Sequence, residues 1–565
     1  MRSWLRTVSI TLTAALATAA VASLLQTQIN LHALTQLGLD VSWPARAAVT
    51  VEDLARFGPV MFSFSLAGGV LASGLQPILR RLGLHALPCA LLAGVAGPAV
   101  VLALLRSVIP MPAIAAIREL PGYALLSLCG LVGGYVSYTL RARTVRETHP
   151  HGGVAWLLPA GLVLLPLASF MLMQPTAQRA QPPAAGGYQV ATVASGLQWP
   201  WSLAELPDGT LLVTEMAGRL KLIDRAGARV DVNLSKMPAG YQRERVIGLM
   251  DIALSPDFDS DRRVYLTQGY RDQRGVGVRL IRGALERVGD AWCMEQVEIL
   301  FESTPKASDG NNGGRVAFLD AHTLLMTVGD GSARREEAQN VRNSLGKVMR
   351  IHLAPGASVA TLYTSGHRNP QGIVHDPVTD SIYVSEHGPR GGDELNRLRP
   401  GANYGWPMVS HGIDYPFARV SPFTRHRAFE DPEVIWSPSI APSGLAVYQG
   451  ALFKEWQRDL LVPALRERSI RRLVRDGDRV VRQERLLSEL GERIRDVMVA
   501  ADGSIYALTD GGDGRLLRLI PEETLSARCS IETACGGLTP HAYARRQARA
   551  EGKHGATDAG GYRWP

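Results

Sequence analysis

Asp-Gly-Thr-Leu-Leu-Val-Thr (208–214) is a turn followed by a run of strand-forming residues, and the chain repeats this pattern. Asp and Gly supply the turn; Leu, Val and Thr suit a pleated, buried strand. Further copies are Asp-Arg-Arg-Val-Tyr-Leu-Thr (261–267), His-Thr-Leu-Leu-Met-Thr-Val-Gly-Asp (322–330), Asp-Ser-Ile-Tyr-Val-Ser (380–385), Asp-Leu-Leu-Val-Pro-Ala (459–464) and Asp-Gly-Ser-Ile-Tyr-Ala-Leu-Thr (502–509). Starts fall about 45 to 80 residues apart, an interval that fits a blade rather than a solenoid turn. Most copies lead into a second strand, clearest in Gly-Arg-Leu-Lys-Leu-Ile (218–223) and Gly-Arg-Leu-Leu-Arg-Leu-Ile (514–520). Radial repetition of four-stranded sheets is how an all-β chain protects its edges. The pattern therefore predicts a six-bladed β-propeller over 188–522, with function at one mouth of its channel. A β-sandwich would have too few strands for this length.

The first 175 residues are of another kind, apolar and rich in Gly, Ala and Leu. Runs at about 5–25, 57–79, 86–105, 121–140 and 154–174 are each long enough to cross a bilayer, which takes roughly 20 residues. They predict an α-helical transmembrane domain of five helices over 1–175. The first run could serve as a signal peptide, but it lacks a convincing small-residue cleavage site. Arg2 and Arg6, then Arg80 and Arg81, then Arg141, Arg143 and Arg146 fall in loops on one side, which the positive-inside rule makes cytoplasmic. An odd number of spans puts the rest outside: a multi-pass protein of the cytoplasmic membrane with its propeller in the periplasm. Residues 176–187, rich in Pro, Ala and Gly, read as a linker.

The net charge of +8 comes mostly from the cytoplasmic loops and a basic tail (523–565) carrying Arg545, Arg546, Arg549 and Lys553. That tail reads as solvated and partly disordered rather than as a nucleic-acid site. Cys529 and Cys535 are close enough in sequence for a disulfide, which an exported region permits, or for two free thiols.

Short segments between the repeats carry the chemistry. Gly-His-Arg-Asn-Pro-Gln-Gly (366–372) holds Arg368 and Asn369, and a forked guanidinium can grip a carboxylate or an oxyanion. A structural Arg capping a loop is the plain alternative. Arg493 and Arg495 in Arg-Ile-Arg-Asp-Val (493–497) share one face of a strand and suit an anion with several carboxylates, or else pair with Glu492 or Asp496. Ser-Glu-His-Gly-Pro-Arg-Gly-Gly-Asp-Glu (385–394) offers backbone oxygens at Gly388 and Pro389 that suit Ca²⁺. Asn-Tyr-Gly-Trp-Pro (403–407) leads to Asp414, a candidate ligand for a second cation.

In this order, with Pro-Ser-Ile-Ala-Pro-Ser-Gly (438–444) between, these segments resemble the glucose and sorbosone (aldose sugar) dehydrogenases that use pyrroloquinoline quinone, PQQ. The resemblance covers most of 190–520 and not the membrane part. It implies a propeller with PQQ over the channel mouth and Ca²⁺ held partly by Gly388 and Pro389. Arg368 and Asn369 would touch the reactive quinone oxygen, and Arg493 and Arg495 would hold PQQ carboxylates. It also implies a His as general base in a His-x-Gly-Gly-Arg motif. Gly-Asn-Asn-Gly-Gly-Arg (310–315) has Asn311 at that position. An amide takes no proton at neutral pH, which leaves Asp309 as a candidate base. Val246 stands where the family often has Gln, and Gln449 where the soluble enzymes bind PQQ through Lys.

The expected function is a membrane-anchored, PQQ- and Ca²⁺-dependent dehydrogenase of an aldose or related aldehyde, with electrons passing to a membrane quinone or a periplasmic carrier. The alternatives are a non-catalytic sugar- or ligand-binding propeller and a Ca²⁺-dependent lactonase-type hydrolase.

Overall fold

The computed structural model describes residues 2–108, 120–146, 181–332, 334–354, 357–414 and 417–522. The expected fifth span (154–174), the tail and the pair Cys529 and Cys535 lie outside the described residues.

The helical part comprises α1 (Arg2–Gln36), α2 (Trp43–Arg56), α3 (Gly58–Arg81), α4 (Ala86–Val108), α5 (Leu120–Leu128) and α6 (Gly130–Arg146). Four stretches among the described residues are long and apolar enough to cross a membrane: Arg6–Gln36, Gly58–Arg81, Ala86–Leu105 and Leu120–Ala142. They match the first four predicted runs, but α1 continues well past residue 25. Its polar extension lies beside α2, which the hydropathy reading missed because Arg46, Glu52, Asp53 and Arg56 interrupt it. Thr27 Oγ1 donates to Asp53 Oδ2 at 2.9 Å, and Gln28 meets Thr50 and Arg46 at 3.0 and 3.1 Å.

The rest is a β-propeller. There are four four-stranded antiparallel sheets and one eight-stranded sheet. The eight-stranded sheet is two antiparallel runs joined by a short parallel contact, Val232 to Trp292 and Asn233 to Cys293. Every repeated sequence becomes the second strand of its run: Leu211–Glu215, Arg263–Asp272, Thr323–Val328, Ser381–Glu386, Leu460–Ala464 and Ile505–Thr509. Both of their faces are covered by neighbouring sheets, so Leu211–Glu215 and Ile505–Thr509 are buried at every position and read as continuous apolar runs. The leading turn is the same in two copies. Asp208 and Asp502 accept from the amides of Thr210 (2.8 Å) and Ser504 (2.9 Å), and Gly209 and Gly503 both take φ +83°.

The first strands line the channel. Pro200–Glu205, Leu249–Leu254, Gly313–Asp320, Pro370–Asp376, Ala446–Val447 and Ile494–Val499 each pack on the next, and the last returns to the first. At the axis lies Arg315, stacked 4.0 Å from the Trp201 ring. It binds Asp251 (2.9 Å), Asp496 (3.0 Å), the Gln371 carbonyl (2.9 Å) and the Ser443 carbonyl (2.5 Å). One side chain thus touches each of the other inner strands or its lead-in. The ring closes because Tyr188–Leu197, from the start of the propeller, pairs antiparallel with Gly514–Pro521 at its end.

The described part of the expected linker is anchored. The Arg485 carbonyl accepts from the Ala185 amide (2.8 Å), and its guanidinium donates to the Pro182 carbonyl (2.9 Å), tying the segment to the outer strand Arg479–Leu486.

Candidate active site

In every antiparallel run the start of the first strand lies beside the end of the second: Pro370 faces Glu386, Gly313 faces Val328 and Ile494 faces Thr509. The segments that lead into first strands therefore meet the segments that leave second strands on one rim. This brings 310–315, 366–372, 385–394 and 493–497 together although they are far apart in sequence.

Four of the repeated runs end on an acid or are followed directly by one: Glu215, Asp330, Glu386 and Asp510. The sequence reading did not use this signal. Each acid organises one part of the rim. Asp330 is 1% exposed. It accepts from Asn311 Nδ2 (2.8 Å), Trp406 Nε1 (2.8 Å) and the Ser332 amide (2.7 Å). Asn311 sits in the left-handed region at φ +46°. Because its amide nitrogen faces the carboxylate, its oxygen points the other way, as a hydrogen-bond acceptor.

Asp309 is engaged elsewhere. Arg243 grips both its oxygens (2.9 and 2.7 Å), and the Tyr241 hydroxyl lies at 3.4 Å. Beneath this loop lies Lys306, also unread from sequence. Its ammonium donates to Asn312 Oδ1 (2.6 Å) and the Gly310 carbonyl (2.9 Å), and burial pushes its pKa down to about 8. The Val246 carbonyl accepts from Asn312 Nδ2 at 3.0 Å.

Arg368 is buried over Trp406 at 5.5 Å. Its guanidinium donates to the carbonyls of His387 (3.1 Å) and Gly388 (2.9 Å). Those oxygens converge on one cationic nitrogen, so they form a cation-seeking corner. A Cβ at Gly388 would stand 2.2 Å from the Gly391 carbonyl oxygen, which is why only glycine fits there. Asn369 Oδ1 accepts from the Gly313 amide (3.3 Å) and Gln371 (3.2 Å). Glu386 accepts from the Arg368 amide (2.8 Å) and meets His367 Nδ1 at 2.9 Å. Burial works to raise its pKa, but His367, the Arg368 amide and Asn396 bring it below the usual range. His387 Nε2 donates to the Pro442 carbonyl at 2.6 Å, and burial lowers its pKa, so the ring is neutral.

Arg493 and Arg495 share a single carboxylate, Asp510, at 2.8 and 2.7 Å. The alternative partners are taken: Glu492 by Arg515 and Asp496 by Arg315. Two guanidiniums against one carboxylate leave a net positive charge on this part of the rim. That charge suits an anion.

Two expected site residues lie elsewhere. Gln449 Nε2 is 3.5 Å from Asp376 Oδ1, and Asp376 ends the strand that begins beside Arg368. Gln449 is therefore at the opposite end of the propeller. The sequence position was matched without knowing the direction of its strand. Asp414 pairs with Arg335 at 3.2 Å, against the helical part. A permanent guanidinium in that place does not fit a second cation.

Residues 197–518 match the family described as Glucose / Sorbosone dehydrogenase. The Escherichia coli (strain K12) protein named aldose sugar dehydrogenase YliI is 33% identical over 352 residues, covering 59% of this chain and 92% of that protein. Quinoprotein glucose dehydrogenase B of Acinetobacter calcoaceticus is 24% identical over 406 residues, covering 56% of this chain and 84% of that protein. Among solved structures, a glucose dehydrogenase superposes with TM-score 0.55 at 37% identity, covering 58% of this chain and 99% of its own. The apo-form of the Escherichia coli soluble aldose sugar dehydrogenase gives TM-score 0.55 at 32% identity, covering 59% of this chain and 100% of its own. The propeller of this chain thus accounts for 84% to 100% of each of these relatives, the helices lie outside the family match, and the chain belongs to the glucose/sorbosone dehydrogenase family.

Proposed function

We propose that this protein is a membrane-anchored quinoprotein dehydrogenase that oxidises an aldose or related sugar aldehyde at the rim described above, with PQQ and Ca²⁺ as cofactors. The observation that carries the reading is the gathering of three complementary elements on one rim of a family propeller. These are the Arg368–Asn369 pair, the His387 and Gly388 carbonyls, and the excess positive charge of Arg493 and Arg495. The relative named a quinoprotein supports PQQ. Ca²⁺ rests on the family resemblance, with the Gly388 and Pro389 carbonyls as its holders, and the Gly388 carbonyl would first have to loosen from Arg368.

Bound PQQ would supply the acceptor for two electrons from the sugar. Arg493 and Arg495 would hold its carboxylates. Arg368 and Asn369 would orient the quinone oxygen and stabilise negative charge there. Asn311 would accept a hydrogen bond from the sugar hydroxyl through its amide oxygen. It does not accept the proton, which leaves Asp309 or water for that task, and Asp309 would first have to loosen from Arg243. We count the eight-stranded sheet as two blades, making six over 188–522.

The helices support the expected topology. The propeller docks on the end of α1 opposite Arg2 and Arg6: Asn30 Nδ2 donates to the carbonyls of Arg419 (3.2 Å) and Val420 (3.1 Å). If the arginine-rich ends are cytoplasmic, the propeller is outside. The chain leaves α6 on the arginine side, so an outside propeller needs one more crossing, for which the apolar run 154–174 is long enough in sequence. At 1.5 Å per residue, α1 exceeds the roughly 30 Å that the hydrocarbon needs. Its extension from Gln26 then stands clear of lipid. A reporter fused after residue 185 should be active only if it works in the periplasm.

The deciding experiment is reconstitution of the purified full chain with PQQ and Ca²⁺, scanned against aldoses with a redox dye. Dye reduction supports the dehydrogenase. Tight PQQ or sugar binding without dye reduction would favour the non-catalytic propeller, for which the amide at position 311 is the argument. A lactonase calls for carboxylates round its metal, and among the described residues no group of three or more His, Cys, Asp or Glu is so placed.

A further inference from the structure

We propose that the membrane helices form part of the active site: Asn30 of α1 is a positioning residue that acts through Val420 and Trp406 on Asp330. The proposal rests on the dehydrogenase reading for its kinetic consequence but not for its structural one.

The chain of contacts is short. Asn30 is 6% exposed and joins the two parts of the molecule. Its amide nitrogen donates to the Arg419 and Val420 carbonyls, and its oxygen accepts from Arg335. Val420 is fully buried in a small apolar cluster with Ala338 and Trp406. Trp406 donates its indole N–H to Asp330, which holds Asn311. Arg368 lies over the same indole ring. A second route runs from Arg335 along its short helix (Arg335–Gln339) to Gln339, which donates to the Trp406 carbonyl at 2.7 Å. Both routes from Asn30 end on the same tryptophan.

The anchoring is built, not incidental. The Asp53 carboxylate of α2 is 1% exposed and accepts from the Arg419 amide at 2.8 Å. Met408 and the partly buried Phe423 and Phe429 pack against Leu31, Leu34 and Val49. The docking segment spans the long connection between the strands Asp393–Leu398 and Val434–Trp436, which also carries Trp406. A long connection of this kind usually has a task of its own. Here a single loop faces the helices on one side and Asp330 on the other.

The test uses the full chain in lipid nanodiscs, loaded with PQQ and Ca²⁺, as wild type, Asn30→Leu, Trp406→Phe and the double variant. Trp406→Phe keeps a smaller aromatic ring against Val420 and removes the N–H. Each single change is expected to lower dye-linked turnover about tenfold with little change in KM for the sugar. The double variant is expected to be no slower than the worse single, because both changes break one chain. Losses that multiply would overturn the proposal, since an effect on general folding does not route through Trp406. Hydrogen exchange reads the same link without turnover: Asn30→Leu should speed exchange at 328–333, and Val420→Ala, wholly within the propeller, should do the same. Unchanged exchange there would sink the proposal even if turnover falls. If the wild type oxidises no aldose, the dehydrogenase reading fails while the exchange result still judges this one.

Discussion

The helices and the propeller are held together by different physics. The helices touch through missing side chains. A Cβ on Gly94 would come within 2.4 Å of the Gly130 carbonyl oxygen, and one on Gly97 within 2.0 Å of the Gly68 carbonyl oxygen. α4 thus packs backbone to backbone against α6 and α3, as helices do where lipid removes the hydrophobic drive and close fit replaces it. The propeller is joined by charge instead. Arg315 gathers the inner strands, and the rim acids Asp330, Glu386 and Asp510 each collect several donors. Among the described residues the helices bury one charged side chain, Asp53, and it lies at the docking edge beside Thr27. The difference teaches where the chemistry can be: shape holds the helices, and directed polar groups hold the rim.

If that contrast is right, charge changes should be felt most in the propeller and volume changes most in the helices. The largest effect is expected at position 311. Asp330 is already placed to accept from a donor there, so Asn311→His would present an oriented imidazole, a group whose unperturbed pKa is about 6.5. General-base catalysis typically contributes 10²–10⁴-fold, and dye-linked turnover should rise within that range. No rise with PQQ and Ca²⁺ bound would mean that the rim lacks catalytic alignment. If Asp309 is the base instead, Asp309→Asn should abolish wild-type activity and Asn311→His should add little.

Arg315→Met comes next. It strands two buried carboxylates, Asp251 and Asp496, and such a loss costs about 3–5 kcal/mol. Denaturant unfolding of the propeller should show it; a loss below about 1 kcal/mol would mean the axis is not held by charge. Replacing Arg493 and Arg495 together by Ala removes two charge-assisted contacts of roughly 1.5–3 kcal/mol each. PQQ affinity by titration should fall about a hundredfold or more. Unchanged binding would make the pair a structural partner of Asp510 alone.

Gly94→Leu is the matching blow to the helices. Overpacking of this kind costs about 1–3 kcal/mol, read as lower thermal stability in nanodiscs with dye-linked turnover little altered below the transition. A larger loss of turnover than of stability would show that helix packing reaches the site more directly than the contrast allows. The last prediction is a pH slope. Burial, then Glu386, pushes the Glu394 pKa up to about 8 from its usual 4.5. The folded state therefore binds more protons than the unfolded state between those values. Stability from this group is present at low pH and lost as pH rises through about 8, by at most about 1.4 kcal/mol per pH unit. Glu394→Gln should flatten the stability profile in that window; an unaltered slope would assign it to other groups.

Much of this was readable along the chain. The turn at 208–210, the repeats and the apolar runs are short-range patterns, because hydropathy and turn chemistry act over a few residues. The rim was half legible. Arg368, Asn369, Gly388 and Arg495 stand in segments with distinctive composition, whereas Asp330 and Asp510 looked like ordinary turn acids after a strand. Gln449 was placed by position alone, and strand direction puts it at the far end.

By itself, then, the sequence determined that an apolar helical part precedes repeated strands, and which residue types were available to bind an anion and a cation. Tertiary structure decided which of them meet. Asn311 precedes one strand and Asp330 follows the next, Arg495 and Asp510 come from two neighbouring strands' ends, and Asn30 reaches Trp406 through Val420. No local pattern encodes those meetings, because they exist only once Tyr188–Leu197 closes the ring and the loop after Trp406 settles on the helices.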